Sequence, residues 1–276
     1  MLTIIDTTLR DGEQAPGLAF SAAEKMRVGK LLSALGVDII EAGIPAMGRV
    51  EQEALYRLVQ AGLPAAIASW NRMHPADVDA SLACGVKFVH LSAPVSDLHL
   101  EHKLRKSRSW VLGRMQEVVA YARSKDCRIS VGAEDASRAD PDFLVTYAQA
   151  AQDAGAERMR FSDTVGVLDP FRTYGLIRRL VTGLAIQVEM HAHNDFGLAT
   201  ANTLAAARAG AGAVSVTVNG IGERAGNANL REVARAIRQF CGIDLGYDAG
   251  VLALLEELVF TLSDSNRNVS GIMEAI

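Results

Sequence analysis

The stretch IQVEMHAHNDFGLATANTLAAARAGAGAVSVTVNG, residues 186–220, holds one full copy of the pattern that decides the fold. IQVEMHAH (186–193) reads as a strand, LATANTLAAARAGAG (198–212) as a helix with a small-residue face, and AVSVTVNG (213–220) as the next strand. Side chains two apart on a strand share a face, so His191 and His193 point the same way at its end and can grip one ion together. A lone HxH defaults to a satisfied core or surface pair. Asn194 and Asp195 strengthen the reading, because they extend a polar cluster directly after an apolar run, where loops carry function.

The same alternation runs outward along the chain. Strand-like runs occur at LTIID (2–6), VDIIEAG (37–43), AAIASW (65–70), KFVHLSA (87–93), RISVGAE (128–134) and RMRFSD (158–163), which with the two above makes eight. Helical signatures lie between them. In SAAEKMRVGKLLSALG (21–36) Ser21 and Glu24 form a capping box and Gly36 provides the stop; in DPDFLVTYAQAAQDAG (140–155) Pro141 suits the first helical turn. The strands are mostly apolar on both faces, as expected when helices cover one side and a closed interior fills the other. Eight such units predict an α/β fold, a (β/α)8 TIM barrel over residues 1–242, with a short helical extension over 243–276. The segment VLALLEELVF (251–260) in that extension is either a cap beside the barrel or a contact with a second subunit, and the latter predicts a homodimer.

Barrel chemistry gathers at the C-terminal ends of the strands. The polar residues there include Arg10, Asp11, Glu13, Gln14, Glu41, Arg72, His74, Ser92, Glu134, Thr164, Asn194, Glu223, Arg224 and Asn227 beside the two histidines. Loops are polar in any protein; acids directly following apolar runs in IIEAG, VGAED and FSDT are not explained that way. Asp11, in DTTLRDGEQ (6–14) after LTII, is a plausible oxygen ligand for the ion at His191 and His193. Two imidazoles and a carboxylate leave positions open, which a catalytic site keeps and a structural site fills. The oxygen-rich set suits Mg²⁺ or Mn²⁺, while the imidazoles admit Zn²⁺, Fe²⁺ or Co²⁺.

Composition narrows the classes. A formal charge of −4 over 276 residues provides no basic field for nucleic acid. Cys84, Cys127 and Cys241 form no CxxC pair, and their odd number argues against a disulfide framework, so a reducing cytoplasm is expected. Neither a signal-peptide pattern nor a run of membrane-spanning length is present in this sequence, and no membrane association is expected. His99 and His102 lie in DLHLEHKLRKSR, where Lys103, Arg105, Lys106 and Arg108 either neutralise the phosphates of a coenzyme or form a solvated face; the solvated face is the default.

The strings DTTLRDGEQAPG, IEAGIPAMG, LSAPVSDLHLEHKL, GAEDASRADPDFL, DTVGVLDP, HAHNDFGLATANTLAAARAGA and VNGIGERAGNANLREV together resemble the acyl-CoA condensing group of the DRE-TIM metallolyase superfamily, over residues 3 to about 242. EAGIPAMG and EDASRAD favour the nitrogen-fixation type of homocitrate synthase over isopropylmalate and citramalate synthases. The 3-hydroxy-3-methylglutaryl-CoA lyases carry a cysteine in the glycine loop, where this chain reads GIGERAGN. The resemblance implies joining of acetyl-CoA to 2-oxoglutarate, with hydrolysis of the thioester, to give homocitrate and coenzyme A. It implies that Asp11, His191 and His193 bind a divalent metal with Asn227 near the fourth position, that Arg10 stabilises developing negative charge and that Glu134 acts as acid and base. Thr164 is then a partner of the 2-oxo acid carboxylate, and Gln14 a further substrate contact.

Two departures from that pattern matter. Lysine-pathway homocitrate synthases place an arginine four residues before the acid equivalent to Glu134, and Ser130 stands there instead. The far carboxylate is therefore expected to meet Arg72, with His74 or Ser92 assisting and Arg138 and Arg160 in reserve. Full-length relatives also continue into a HEAGIH-type string whose histidine helps remove the acetyl-CoA methyl proton; this chain runs to NVSGIMEAI without it. Slow turnover is expected unless a barrel residue or another chain supplies the base.

Overall fold

The computed structural model describes the backbone of residues 2–273, and side chains as far as Asp264. Eight parallel strands, β1 (Thr3–Asp6), β2 (Ile39–Glu41), β3 (Ala66–Arg72), β4 (Phe88–Pro94), β5 (Arg128–Glu134), β6 (Arg158–Asp163), β7 (Gln187–Ala192) and β8 (Ala213–Val216), close in sequence order into a barrel. Closure is made by β8 against β1, where Ile5 pairs with Ser215 and Asp6 with Val216. Each strand is followed by a helix: α1 (Ala22–Leu35), α2 (Arg49–Gln60), α3 (Pro75–Ala83), α4 (Arg108–Arg123), α5 (Pro141–Ala154), α6 (Pro170–Gly183), α7 (Ala199–Ala209) and α8 (Leu230–Cys241). This is the expected TIM barrel.

Local chemistry sets the helix ends. Ser21 and Glu24 make the reciprocal capping box and Gly36 leaves α1 with φ 94°. Asp140 accepts from the Asp142 and Phe143 amides ahead of Pro141, and Asp169 does the same for Phe171 and Arg172 ahead of Pro170. Strand bounds differ from expectation at both ends of the range. β2 keeps three residues of VDIIEAG, and β8 stops at Val216 because Thr217 pairs with Asn229 and Asn219 takes φ 58° in a 3-10 turn.

The interior departs from the expected apolar filling. Ile5, Ile39, Ala68, Phe88 and Ala213 form an apolar floor, but above them the inward side chains are ionic. Arg160 pairs with Glu41 at 2.5 Å and with Glu189 at 2.6 Å, Arg158 lies 3.5 Å from Glu189, and Ser215 also donates to Glu189. Alternation is the cause: Arg158 and Arg160 sit two apart on β6 as Glu189 and His191 do on β7, so one face of each strand climbs from charge to site. The large apolar core lies outside the strands, under the helices.

Lys25 of α1 is wholly buried, 2.7 Å from Glu13 and 2.8 Å from Glu51, and also donates to the Leu9 and Ala42 carbonyls. A buried ammonium needs every proton satisfied, so this residue ties together the segments after β1 and β2.

The C-terminal extension forms α9 (Ala249–Met273), which packs along α1 through Leu252, Leu255 and Val259. Residues 274–276 of the predicted extension lie outside the described residues. Among the described residues no helix is long and apolar enough to cross a membrane.

Candidate active site

At the C-terminal mouth of the barrel, Asp11, His191 and His193 each offer a ligand atom within 4.8 Å of the others, all three residues being buried. His191 near the end of β7 and His193 just after it turn their Nε2 atoms toward each other at 3.3 Å, and His191 Nε2 lies 3.0 Å from Asp11 Oδ2. Asn227 joins them because His193 and Asn227 form an isolated bridge and the Asn194 amide donates to the Gly226 carbonyl. Its amide nitrogen donates to Asp11 Oδ1 at 3.2 Å. Gly222 makes that approach feasible, since a Cβ there would sit 2.1 Å from the Asn227 amide nitrogen.

The donor set fits a divalent metal. Asn227 Oδ1 is buried with no hydrogen-bond partner and two imidazole nitrogens face one point, an arrangement costly to hold without a cation. Burial, with His191 beside it, pushes His193 down to about 3, so it is neutral and able to donate its lone pair at ordinary pH. Burial alone would raise the Asp11 carboxyl, but the Arg10 guanidinium and His191 hold it well below the usual carboxylate range.

Arg10 is the pivot beside this group. Its Nη1 donates to Asp11 Oδ2 at 2.9 Å, its Nε donates to Glu41, and its guanidinium lies 6.0 Å from the Trp70 ring centroid. Across the mouth, β5 ends in Glu134, whose carboxylate lies 2.6 Å from Lys103 and 3.3 Å from His99. The Thr164 hydroxyl accepts from the Asp135 amide at 2.8 Å, which leaves its own proton to donate into the site. Arg224 latches the loop after β8 to its neighbours by donating to Asp195 and to the Thr164 carbonyl.

These residues enclose a polar cavity of about 430 Å³ to which Arg10, Asp11, Gln14, Ser92, Glu134, Thr164 and the two histidines contribute. Asn227 is not in the lining and joins it through Asp11. The structure does not bring Arg72 and His74 into that cavity. They line a second, largely apolar one of about 510 Å³ between β3, β4 and α4. Arg72 is turned outward by Asp77, which takes Nε and Nη2 at 2.9 Å each, and His74 caps α3. Of the two reserves, Arg160 lines the polar cavity and Arg138 is engaged by Asp135.

Several residues of the site went unread or were read otherwise in the sequence. Trp70 carried no signal beyond a strand end. His90, inside β4, hydrogen-bonds Ser130 at 3.0 Å while facing the cavity beside Gly132; burial and Arg160 hold it well below the usual histidine range. Lys103 read as one charge in a solvated run. It reaches the site because residues 100–104 form a single π-helical turn, which no periodicity announces.

The chain belongs to the HMGL-like family, whose pattern matches residues 1–259. It is 50% identical over 256 residues to 2-isopropylmalate synthase 2 of Caldanaerobacter subterraneus, covering 93% of this chain and 67% of that one. It is 48% identical to homocitrate synthase 1 of a Nostoc species, covering 95% and 70%, and 45% identical to homocitrate synthase subunit alpha of Clostridium pasteurianum, covering 87% and 90%. In fold it matches hydroxymethylglutaryl-CoA lyase from Pseudomonas aeruginosa with a TM-score of 0.83 at 22% identity, over 95% of this chain and 92% of that one.

Proposed function

We propose that this protein condenses acetyl-CoA with a 2-oxo acid and hydrolyses the thioester, with 2-oxoglutarate as the preferred acid, homocitrate and coenzyme A as products, and Asp11, His191, His193 and Asn227 as the holders of a divalent cation. The observation that carries the reading is the convergence of three buried ligand groups with Arg10 at the barrel mouth. A bound divalent ion would act there as a Lewis acid toward the keto group.

The chain's own residues supply the rest. Arg10 stabilises the negative charge that grows on the keto oxygen as the new carbon–carbon bond forms, an effect worth roughly 3 kcal/mol at such positions. Thr164 donates to the acid's carboxylate, and Gln14 and Ser92 line the approach. Arg160 is our choice of cation for the far carboxylate, since it faces the same cavity and keeps N–H groups beyond those given to Glu41 and Glu189. The names of the Nostoc and Clostridium relatives support 2-oxoglutarate; the isopropylmalate synthase at 50% identity supports a sister acid.

A second reading, that the barrel works with another polypeptide, is favoured by 90% coverage of a relative named as a subunit. A homodimer, the other partnership proposed, would form through α9, where Leu254 and Phe260 are exposed. The test is thiol release from acetyl-CoA with 2-oxoglutarate, 2-oxoisovalerate and pyruvate, with and without chelator. Release with 2-oxoglutarate that chelation abolishes supports the proposal. Equal rates with the other acids overturn the substrate assignment, and silence with all three overturns the condensation by this chain alone.

A further inference from the structure

We propose that Lys103 and Glu134 act as one proton-transfer pair on an acyl thioester entering through the apolar cavity, Glu134 taking the methyl proton and Lys103 holding the enolate oxygen. The inference rests on the condensation reading above and adds Lys103 to Glu134, whose acid and base role the resemblance already implies.

The two cavities share a short wall formed by Trp70, Ser92, Lys103 and Glu134. Only the last two are ionisable. Lys103 Nζ lies 2.6 Å from Glu134 Oε1 and His99 Nδ1 lies 3.3 Å from the same oxygen. The second carboxylate oxygen makes no such contact among the described residues, which leaves it open to accept a proton. Of the three ammonium protons, one serves Glu134, and the others are available to a substrate oxygen.

The backbone on both sides is held in uncommon conformations. Arg105, directly after the π turn, has φ 54°, and Asp135, directly after Glu134, has φ 61°. Neither is glycine, and such residues persist only where their surroundings determine them. Here Ser96 donates to Asp135, Arg138 pairs with it, and the Lys106 amide donates to the Leu100 carbonyl. This bracing fixes the backbone that carries each side chain, and the ion pair at 2.6 Å joins a half-exposed Lys103 to a mostly buried Glu134.

Placement matches the chemistry required. In a closed eight-stranded barrel β5 lies opposite β1, so the pair faces Arg10 and Asp11 across the mouth. The apolar cavity, with Met73, Leu104 and Trp110 in its wall, suits an uncharged flexible arm whose thioester end arrives at the shared wall. Glu134 takes one methyl proton; the C–H pair becomes the enolate double bond and the carbonyl π pair moves to oxygen, against Lys103. The enolate carbon then attacks the keto carbon, and the displaced π pair on the keto oxygen takes up a proton that Glu134 can return. Water subsequently adds its oxygen to the acyl carbon, and the thiolate leaves and is protonated.

The test compares wild type with Lys103→Met, Lys103→Arg, Glu134→Gln and the Lys103→Met/Glu134→Gln double variant. It follows deuterium exchange into the methyl group of acetyl-CoA in D2O, and thiol release with the three 2-oxo acids. Lys103→Met is expected to lower both rates by about 100-fold or more. Metal content and the KM for the 2-oxo acid should stay within about twofold, Lys103→Arg should recover part of the loss, and the double variant should be no slower than the worse single one. Retention of both rates within about threefold in Lys103→Met, or losses that multiply in the double variant, overturns the pair. Exchange by wild type without thiol release, lost in Lys103→Met, supports the pair while removing the condensation reading. Absence of both reactions in wild type removes both.

Discussion

The Arg160 guanidinium spans the barrel from β6 to the Glu41 carboxylate on β2, the strand diametrically opposite, and so forms a floor of paired charge beneath the site. Glu41 in turn accepts from Arg10, which ties that floor to the group that contacts Asp11. Two arginines hold Glu41 well below the usual carboxylate range against its burial.

Breaking this link is costly because both partners are out of water. Arg160→Met leaves Glu189 short of its closest cation and Glu41 with Arg10 alone, so a loss of about 3–5 kcal/mol is expected. Urea unfolding measures it. A change below about 1 kcal/mol means the cluster contributes little beyond filling space.

Metal content tests the ligand group directly. His191→Ala and His193→Ala are each expected to reduce bound divalent metal sharply, and Asn227→Ala less, with elemental analysis after dialysis as the measurement. Arg10→Ala should retain the metal and lose roughly 100-fold in turnover. Full occupancy in the double histidine variant would remove the assignment.

Arg72 separates the two cavities by function. It opens on the apolar cavity, 69% exposed and paired with Asp77, so Arg72→Ala is expected to raise the KM for acetyl-CoA and leave that for the 2-oxo acid unchanged. The opposite split would return Arg72 to the far carboxylate.

Asp6 gives a stability effect with a definite sign. Burial raises its carboxyl from 3.8 to about 7 against the Thr8 hydrogen bonds, and Oδ2 is buried without a partner. Between these values the folded state holds a proton that the unfolded state has released, so stability is full below 3.8 and declines as pH rises toward 7. Asp6→Asn removes the charge and should abolish that part of the decline, on the order of 4 kcal/mol at most. Melting curves from pH 5 to 8 that run parallel for both proteins would refute it.

Gly132→Ala tests the shape of the mouth. A Cβ there would lie 2.6 Å from His90 Nε2, and His90 is already fixed by Ser130 and its buried strand. The ring must turn into the polar cavity, so a stability loss of about 1–3 kcal/mol and a higher KM for the 2-oxo acid are expected. An unchanged KM would place His90 away from the substrate.

The sequence alone determined the barrel and the histidine pair. Periodicity is local: alternation in VEMHAH fixes which side chains share a face, and Ser21, Glu24, Pro141 and Gly36 mark helix ends through contacts with their own neighbours. Tertiary closure decided the remainder. Asp11 and Asn227 meet 216 residues apart because β8 closes on β1, and Arg160 meets Glu41 119 residues apart because the two strands are opposite. Arg72 and Lys103 show the same limit from the other direction, since a strand-end arginine turns outward to a buried aspartate while a lysine in a charged run is carried inward by a π turn. Charge pairing across a closed surface depends on distance in space, which linear spacing does not encode.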